Sequence, residues 1–518
     1  MFKNLKKVFI SILTAALMIT SMPFPVHAKD TGVFIDSVMI VNDQVQVKTT
    51  GAVETDDGLY HLYELSDDGT QKEVGSGKVQ DKTVLIAPFS DVFKAYQICG
   101  KVDGAMMVLN SGKKYISNPE IKSKKTVKRI QTGKKGLLPS ALLLSDIDLI
   151  TDLGIEQVVY NMRLGDICTD GDIPFTYEGT EYLFNSGILA QYDFVLKTME
   201  QRGIQVTMIL LNNMAADQTL IYPDSRGGVS NYYALNAADK AGIKKIKAIA
   251  AFLADRYSGG EYGTVDNWII GNEVNAYGEW NYVPDSLGLQ KYAEVYAKAF
   301  RIFYNTLKSV NGNARVYISL DNQWSGTKNS HSYPGKEFLT KFNDCIKKEG
   351  NINWGVAIHP YCWPLTDTDV WNMDNKKEVR HDAYSNYVTM QNLEVFTDYM
   401  SSPSLKAPNG EMRSIMLSEQ GYTSSGRGGE KEQAAAIVFA YQKAKRNPDI
   451  DGFILNRQQD AEEEMANGLA LGLMTLDGTK KLSYEWYKNA DSNEIQNQVA
   501  SYIGVSSLDD VLKKRYEE

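Results

Sequence analysis

Trp268-Ile269-Ile270-Gly271-Asn272-Glu273-Val274-Asn275 is the stretch from which the rest of the chain can be read. An apolar, strand-like run ends abruptly in an Asn-Glu pair. Polar and aromatic residues follow, among them Asn275, Tyr277, Glu279, Trp280 and Tyr282. The arrangement returns far downstream in Ser414-Ile415-Met416-Leu417-Ser418-Glu419-Gln420-Gly421-Tyr422, again with a carboxylate at the tip of an apolar run. Two strands ending in glutamates ask what lies between and around them.

Outward from these runs, helix and strand alternate. Leu189, Tyr192, Val195, Leu196 and Met199 make a helical stripe, Gly203 closes it, and Val206–Leu211 reads as a buried strand. Further strands are expected at Ile155–Tyr160, Val316–Leu320, Trp354–Ile358, Ile415–Leu417 and Gly452–Leu455. Helices are expected over 240–257, 286–310, 335–348, 387–400 and 430–445. With the strand ending at Glu273 this gives seven, and an eighth is expected within the lysine-rich stretch 124–139. Alternation over this length argues for a closed eight-stranded barrel over a doubly wound sheet. No glycine-rich phosphate loop follows a strand, which speaks against nucleotide binding. The fold class is therefore α/β: a (β/α)8 TIM barrel preceded by a small all-β sandwich.

Residues 29–120 carry the sandwich signature, with short strand-like runs such as Val38–Val41, Val45–Lys48, Tyr60–Leu65, Thr83–Ile86 and Ala95–Cys99 separated by Gly- and Asp-rich turns. Asn42-Asp43 reads as a hairpin turn. Residues 1–28 read as a secretory leader: Lys3, Lys6 and Lys7, an apolar core over 8–24, then Val26-His27-Ala28, with cleavage expected after Ala28. A basic run from Lys122 to Lys135 reads as a solvated linker over 121–135, because charge runs are usually solvated. The barrel is expected over 136–518, with a C-terminal helical extension. The whole chain has a formal charge of −9, which falls by three to −12 without the leader lysines. A net acidic surface argues against nucleic acid as a partner. The secreted chain should carry no integral membrane segment and act as a monomer.

In such barrels chemistry gathers at the carboxyl ends of the strands. Just past each strand stand Arg163, Asn212-Asn213, Asn272-Glu273, Asp321-Asn322-Gln323-Trp324, His359-Pro360-Tyr361-Cys362-Trp363, Ser418-Glu419 and Asn456-Arg457-Gln458. Amides and carboxylates bind hydroxyls and aromatic faces stack on sugar rings, so this crown suits a carbohydrate. Two carboxylates at two strand ends are what retaining glycoside hydrolysis requires. Metal chemistry finds little support: His61, His331, His359 and His381 show no ligand spacing, and Cys99, Cys168, Cys345 and Cys362 form no CxxC. Glu462-Glu463-Glu464 lacks the alternation of a calcium loop and reads as a solvated turn. No GxSxG elbow supports a serine nucleophile. No cofactor and no metal are expected.

On these residues the chain resembles the clan A glycoside hydrolases, retaining barrel enzymes with an Asn-Glu acid/base on the fourth strand and a nucleophilic Glu on the seventh. Asn272-Glu273 matches the first motif and Glu419 the second. His359-x-Tyr361 resembles the sixth-strand His-x-Tyr of several members, whose tyrosine lies against the nucleophile, and Arg163 resembles an arginine after the second strand. Many members place a sugar-stacking tryptophan after the last strand, where this chain has Asn456, Arg457 and Gln458. The resemblance covers roughly 136–490 and is closest to uncharacterised barrel families with a β-sandwich in front.

The resemblance implies Glu273 as acid/base, with a carboxyl raised by burial and by its partner's charge. It implies Glu419 as nucleophile, with Arg163 holding it ionised. Asn272, Asn212, Asp321, His359 and Tyr361 are expected to bind substrate, with Trp324 and Trp363 as stacking platforms. The function expected is hydrolysis of a polysaccharide or oligosaccharide, the alternative being a non-catalytic glycan-binding protein on the same barrel.

Overall fold

The computed structural model describes residues 31–110, 112–130, 132–139, 144–213, 217–372 and 376–512, with 144–146 as backbone alone. The expected leader lies outside the described residues.

Strict alternation of apolar and polar residues builds the N-terminal part. Along Lys82–Pro88 every second residue is buried, so one face of that strand makes core and the other meets water. It pairs with Gln44–Thr50, which pairs with Phe34–Val41. A second antiparallel sheet holds Gln71–Lys78, Leu59–Leu65, Ala95–Val102 and Ala105–Val108 in that order. Val38, Ile40, Val45, Val47, Tyr60, Leu62, Leu85 and Ile98 from both sheets form one core, which makes a sandwich. Asn42 and Asp43 both take positive φ, 49° and 62°, as the tight turn between the first two strands requires.

Eight parallel strands then close into a barrel: Lys135–Leu137, Gln157–Arg163, Gln205–Leu211, Asn267–Ile270, Arg315–Leu320, Gly355–Ile358, Ile415–Gln420 and Ile450–Leu455. Val159, Ile209, Ile269, Tyr317, Ala357, Met416 and Ile454 meet on the axis, so the interior is packed core. Residues one position along, such as Val158, Trp268 and Leu417, join the shell between strands and helices. Gly288–Val310 and Gly429–Arg446 are the longest helices of that shell among the described residues.

The basic run departs from its expected role as a solvated linker. Arg129 donates to Asp266 C=O at 2.8 Å, to Asn267 Oδ1 at 2.6 Å and to Gln205 Oε1 at 3.1 Å, so its guanidinium plugs the barrel at the strands' amino ends. Lys134 reaches three carbonyls at the end of the helix Gly429–Arg446 and just beyond. Lys135 lies in the first strand itself, its ammonium over the Tyr487 ring and bonded to Lys488 C=O, and burial pulls its pKa down to about 8. These charges satisfy the polar floor of the barrel, which a charge count along the sequence does not reveal.

Candidate active site

The fourth strand, Asn267–Ile270, delivers Glu273 three residues beyond its end, on a backbone bent to φ 38°. A side chain with a Cβ takes that conformation at a cost of about 1–3 kcal/mol, so neighbours must hold it. Ser319 on the fifth strand does so: its Oγ accepts the Glu273 N–H at 3.1 Å and its C=O accepts the Val274 N–H at 3.0 Å. Glu419 lies in the seventh strand. Met416 faces the axis, and unbroken alternation would turn Glu419 away from it. The pairing to the eighth strand slips between Leu417 and Gln420, and a slip of this kind re-aims side chains beside it.

The two carboxylates meet at His359, a fully buried imidazole just past the sixth strand. His359 Nδ1 lies 2.8 Å from Glu273 Oε1 and 3.9 Å from Glu419 Oε2. Those two contacts share one nitrogen, so the oxygens are no more than about 6.7 Å apart, within the span of paired glycosidase carboxyls. Both side chains are recessed, with 15% and 21% of their surface exposed. Tyr361 donates its hydroxyl to Glu419 Oε1 at 2.6 Å, while Asn456 donates to the Tyr361 oxygen at 2.7 Å and to Glu419 Oε1 at 3.4 Å. Ser319 Oγ lies 3.4 Å from His359 Nε2, which links the backbone anchor of Glu273 to the imidazole.

The electrostatics reverse one expectation. Burial pushes the Glu273 carboxyl up, but the His359 hydrogen bond and charge, the Lys328 charge and the Trp280 indole together hold it below its ordinary value. Burial raises Glu419, and repulsion from Glu273 and Glu464 adds to this against the opposing pull of His359 and Tyr361. Burial works against the charged form of His359. The Glu419 charge, with the bond to Glu273 and the charges of Glu273 and Asp321, outweighs it and keeps the imidazole above its ordinary value. Thus the carboxyl expected to be raised is lowered, because a buried cation sits against it.

Other expected site residues divide. Asn272 is buried beside Glu273, and its side-chain oxygen is closed to solvent and has no hydrogen-bond partner. Trp363 is half-buried with one face stacked on Tyr387 at 3.9 Å, so only its other face could meet a sugar. Arg163 does not reach Glu419; it ion-pairs with Asp166 at 2.6 Å on the exposed lip, a partner supplied by the turn three residues on. Asn212 spends its amide hydrogens on the carbonyls of Leu220, Tyr233 and Ala234, tying down a loop. Asp321 is saturated by Asn275 at 2.6 Å and by the side chain and backbone of Gln323, with its carboxyl raised to about 6 by burial and the Glu273 charge. Trp324 is core: 1% exposed and edge-on to Phe396 and Tyr399.

The structure adds residues that the sequence left unassigned. Trp280 lies by Glu273, where its indole helps hold the carboxyl down, stacks on Tyr232 at 5.1 Å and packs against the axial cluster. Ser319 and Asn456 set the positions of the two glutamates. A lone serine inside the apolar strand Val316–Leu320, and an amide in the first position after the last strand, were the signals available. Among the described residues, no group of three or more His, Cys, Asp or Glu side chains could hold a metal ion, and no helix is long and apolar enough to cross a membrane.

Residues 127–511 match the profile described as Family of unknown function (DUF5722). No curated protein matches the chain. Among solved structures it is similar to a family 39 glycoside hydrolase from Bacteroides cellulosilyticus WH2, at 15% identity and TM-score 0.46 over 89% of this chain and 83% of that one. A β-glucosidase from Pyrococcus furiosus gives 14% identity and TM-score 0.45 over 69% and 86%. A β-glucuronidase from an uncultured Clostridium sp. gives 10% and 0.38 over 88% and 67%.

Proposed function

The chain belongs to the family of unknown function DUF5722, and we propose that it is a secreted retaining glycoside hydrolase, with Glu419 as nucleophile and Glu273 as acid/base. One observation carries this reading: two recessed glutamates, from the ends of the fourth and seventh strands, converge on one buried imidazole. Glu419 Oε1 receives hydrogen bonds from Tyr361 and Asn456, donors that stabilise a carboxylate and aim it as a nucleophile.

The lowered Glu273 carboxyl is compatible with acid catalysis once Glu273 and His359 are treated as a coupled pair. The pair holds one proton, on Nδ1 in the resting enzyme, and passes it across 2.8 Å to Oε1 as the leaving oxygen approaches. Oε1 then gives it to that oxygen while Glu419 attacks the anomeric carbon and the glycosidic bond breaks. Attachment of the sugar removes the Glu419 charge, the largest influence holding the imidazole's proton. The pair's proton affinity falls at the step where it must accept a proton from water, and water then releases the sugar with retained configuration. Asn272 would meet the hydroxyl beside the reacting carbon, and Trp280 and Tyr232 would line the sugar's approach.

The test is to incubate the protein with a panel of neutral and acidic polysaccharides and aryl glycosides and to follow product configuration by proton NMR. Hydrolysis with retention supports the reading. Inversion removes the covalent step, and tight glycan binding without turnover favours a binding protein on the same scaffold.

A further inference from the structure

The fourth strand pairs with the fifth only as far as Ile269 with Tyr317, so the chain has left the ladder before it reaches Glu273. Bonds to the end of the fifth strand replace the ladder. Ser319 takes the Glu273 N–H on its Oγ and the Val274 N–H on its C=O. The Asn275 amide donates to Asp321 Oδ1 at 2.6 Å and accepts the Asp321 N–H at 3.0 Å. Any residue could supply the Ser319 carbonyl, whereas the Oγ bond needs a hydroxyl side chain.

The same hydroxyl meets His359 Nε2 at 3.4 Å, with both residues wholly buried. Glu273, Asp321 and Glu419 are the charged groups that face the imidazole, and none of them bonds to Nε2. Among the described residues Ser319 Oγ is the sole hydrogen-bond partner of that nitrogen. A buried ring nitrogen without a partner is costly in either protonation state. A hydroxyl suits both states, because it accepts from Nε2–H in the imidazolium and donates to the bare Nε2 of a neutral ring.

We infer that Ser319 is a positioning residue that ties the acid/base backbone to the far nitrogen of its proton partner, so that the imidazole yields its Nδ1 proton and keeps the one on Nε2. The inference rests on the glycosidase reading and deepens it, by adding the residue that tunes the proton supply. In the imidazolium, Nε2–H points at Ser319 and Nδ1–H at Glu273. On transfer the Nδ1–H bond breaks as the Oε1–H bond forms, and the neutral ring that remains still holds Nε2–H on Ser319. Hydrogen bonds from a charged donor are stronger than those from a neutral one, so the hydroxyl favours the protonated ring. It adds to the pull of the carboxylates without placing another charge in the pocket.

The experiment follows His359 directly. The chain is labelled with 15N-histidine, and the ring resonance absent from His359→Asn is titrated by NMR in the wild type, Ser319→Ala and Ser319→Cys. Alanine removes the hydroxyl, cysteine fills the space with a weaker hydrogen-bonding thiol, and thermal melts report the folding of each. The His359 midpoint should drop by about 0.5–1 pH unit in Ser319→Ala, and in the same direction in Ser319→Cys, because a charged hydrogen bond is lost. The basic limb of kcat/KM should move down with it, and the rate should fall more on glycosides with poor leaving groups than on activated ones. A midpoint that stays or rises in both variants would overturn the inference. So would a loss of rate with the basic limb in place, which would leave Ser319 as a support for the backbone alone. If no glycoside is turned over the glycosidase reading falls, and the titration still decides whether Ser319 tunes the imidazole.

Discussion

His359 Nδ1 and Glu273 Oε1 stand 2.8 Å apart, with the imidazole wholly buried and its far nitrogen turned to Ser319. In the proposed mechanism the pair, and not either residue alone, sets the proton supply of the site. On the basic side, activity should fall as the pH rises through the raised His359 value. His359→Asn should move that limb to lower pH and reduce kcat/KM on unactivated substrates more than on substrates with good leaving groups. A pH profile unchanged in shape would refute the shared proton.

The same contact has a stability consequence with a definite sign. The folded-state value of His359 lies above its ordinary 6.5, so its contribution is fully present below about pH 6.5 and is lost as the pH rises through the folded value. The difference in thermal midpoint between wild type and His359→Asn should therefore be larger near pH 6 than near pH 9. Calorimetry at the two pH values checks this, and a difference that grows with pH would contradict it.

Tyr361 donates to Glu419 at 2.6 Å and holds down a carboxyl that burial raises. Tyr361→Phe should shift the acidic limb of the kcat/KM profile to higher pH. A hydrogen bond to a charged group contributes about 1.5–3 kcal/mol, so kcat/KM should drop roughly 10- to 100-fold. A loss of rate with no movement of the acidic limb would show that the hydroxyl acts elsewhere.

Two tryptophans of the strand-end loops should part company under substitution. Trp324→Ala empties a site packed by Phe396 and Tyr399 and should destabilise the fold by about 3–5 kcal/mol. Trp280→Ala, at the half-buried mouth beside Glu273, should leave the thermal midpoint nearly unchanged and raise KM. Denaturant melts and kinetics on the pair decide it; equal stability losses would place Trp280 in the core as well.

Arg163 offers a contrast. Arg163 is exposed and its partner Asp166 half-buried, and a pair with an exposed member contributes about 0–1 kcal/mol. Arg163→Ala should leave both the pH profile and kcat/KM close to those of the wild type. A shift of the acidic limb would instead mean that this guanidinium reaches Glu419 during catalysis.

The barrel was largely readable because buried parallel strands are short apolar runs separated by amphipathic helices. Seven runs read from the sequence fall on barrel strands. The eighth, Lys135–Leu137, is three residues long and opens with a lysine, so no periodicity could mark it. The helix expected over 387–400 spans only Glu394–Met400, because the Asn392 side chain ties Arg380 C=O, Ser385 Oγ and Tyr387 C=O into a turn ahead of it. The pairing of Glu273 with Glu419 was legible from their places in the strand count taken together with the family resemblance. Which strand-end side chains face the pocket was not, since that depends on the path of each loop. Asn212 and Trp324 resemble ligands in sequence and serve as a loop tie and core filler, whereas Ser319 resembles filler and holds the Glu273 backbone. The carboxyl values lay further out of reach, because they depend on where the His359 nitrogen sits to within an ångström.

The most direct test of the central claim is to incubate the protein with a 2-deoxy-2-fluoro glycoside bearing a good leaving group and to map the labelled peptide by mass spectrometry. The expected result is one sugar per chain, attached to Glu419, with the label absent from Glu419→Gln and still formed in Glu273→Gln given an activated leaving group. A sugar attached to Glu273 or any other residue, or turnover of the reagent with inverted configuration and no label, would contradict the assignment.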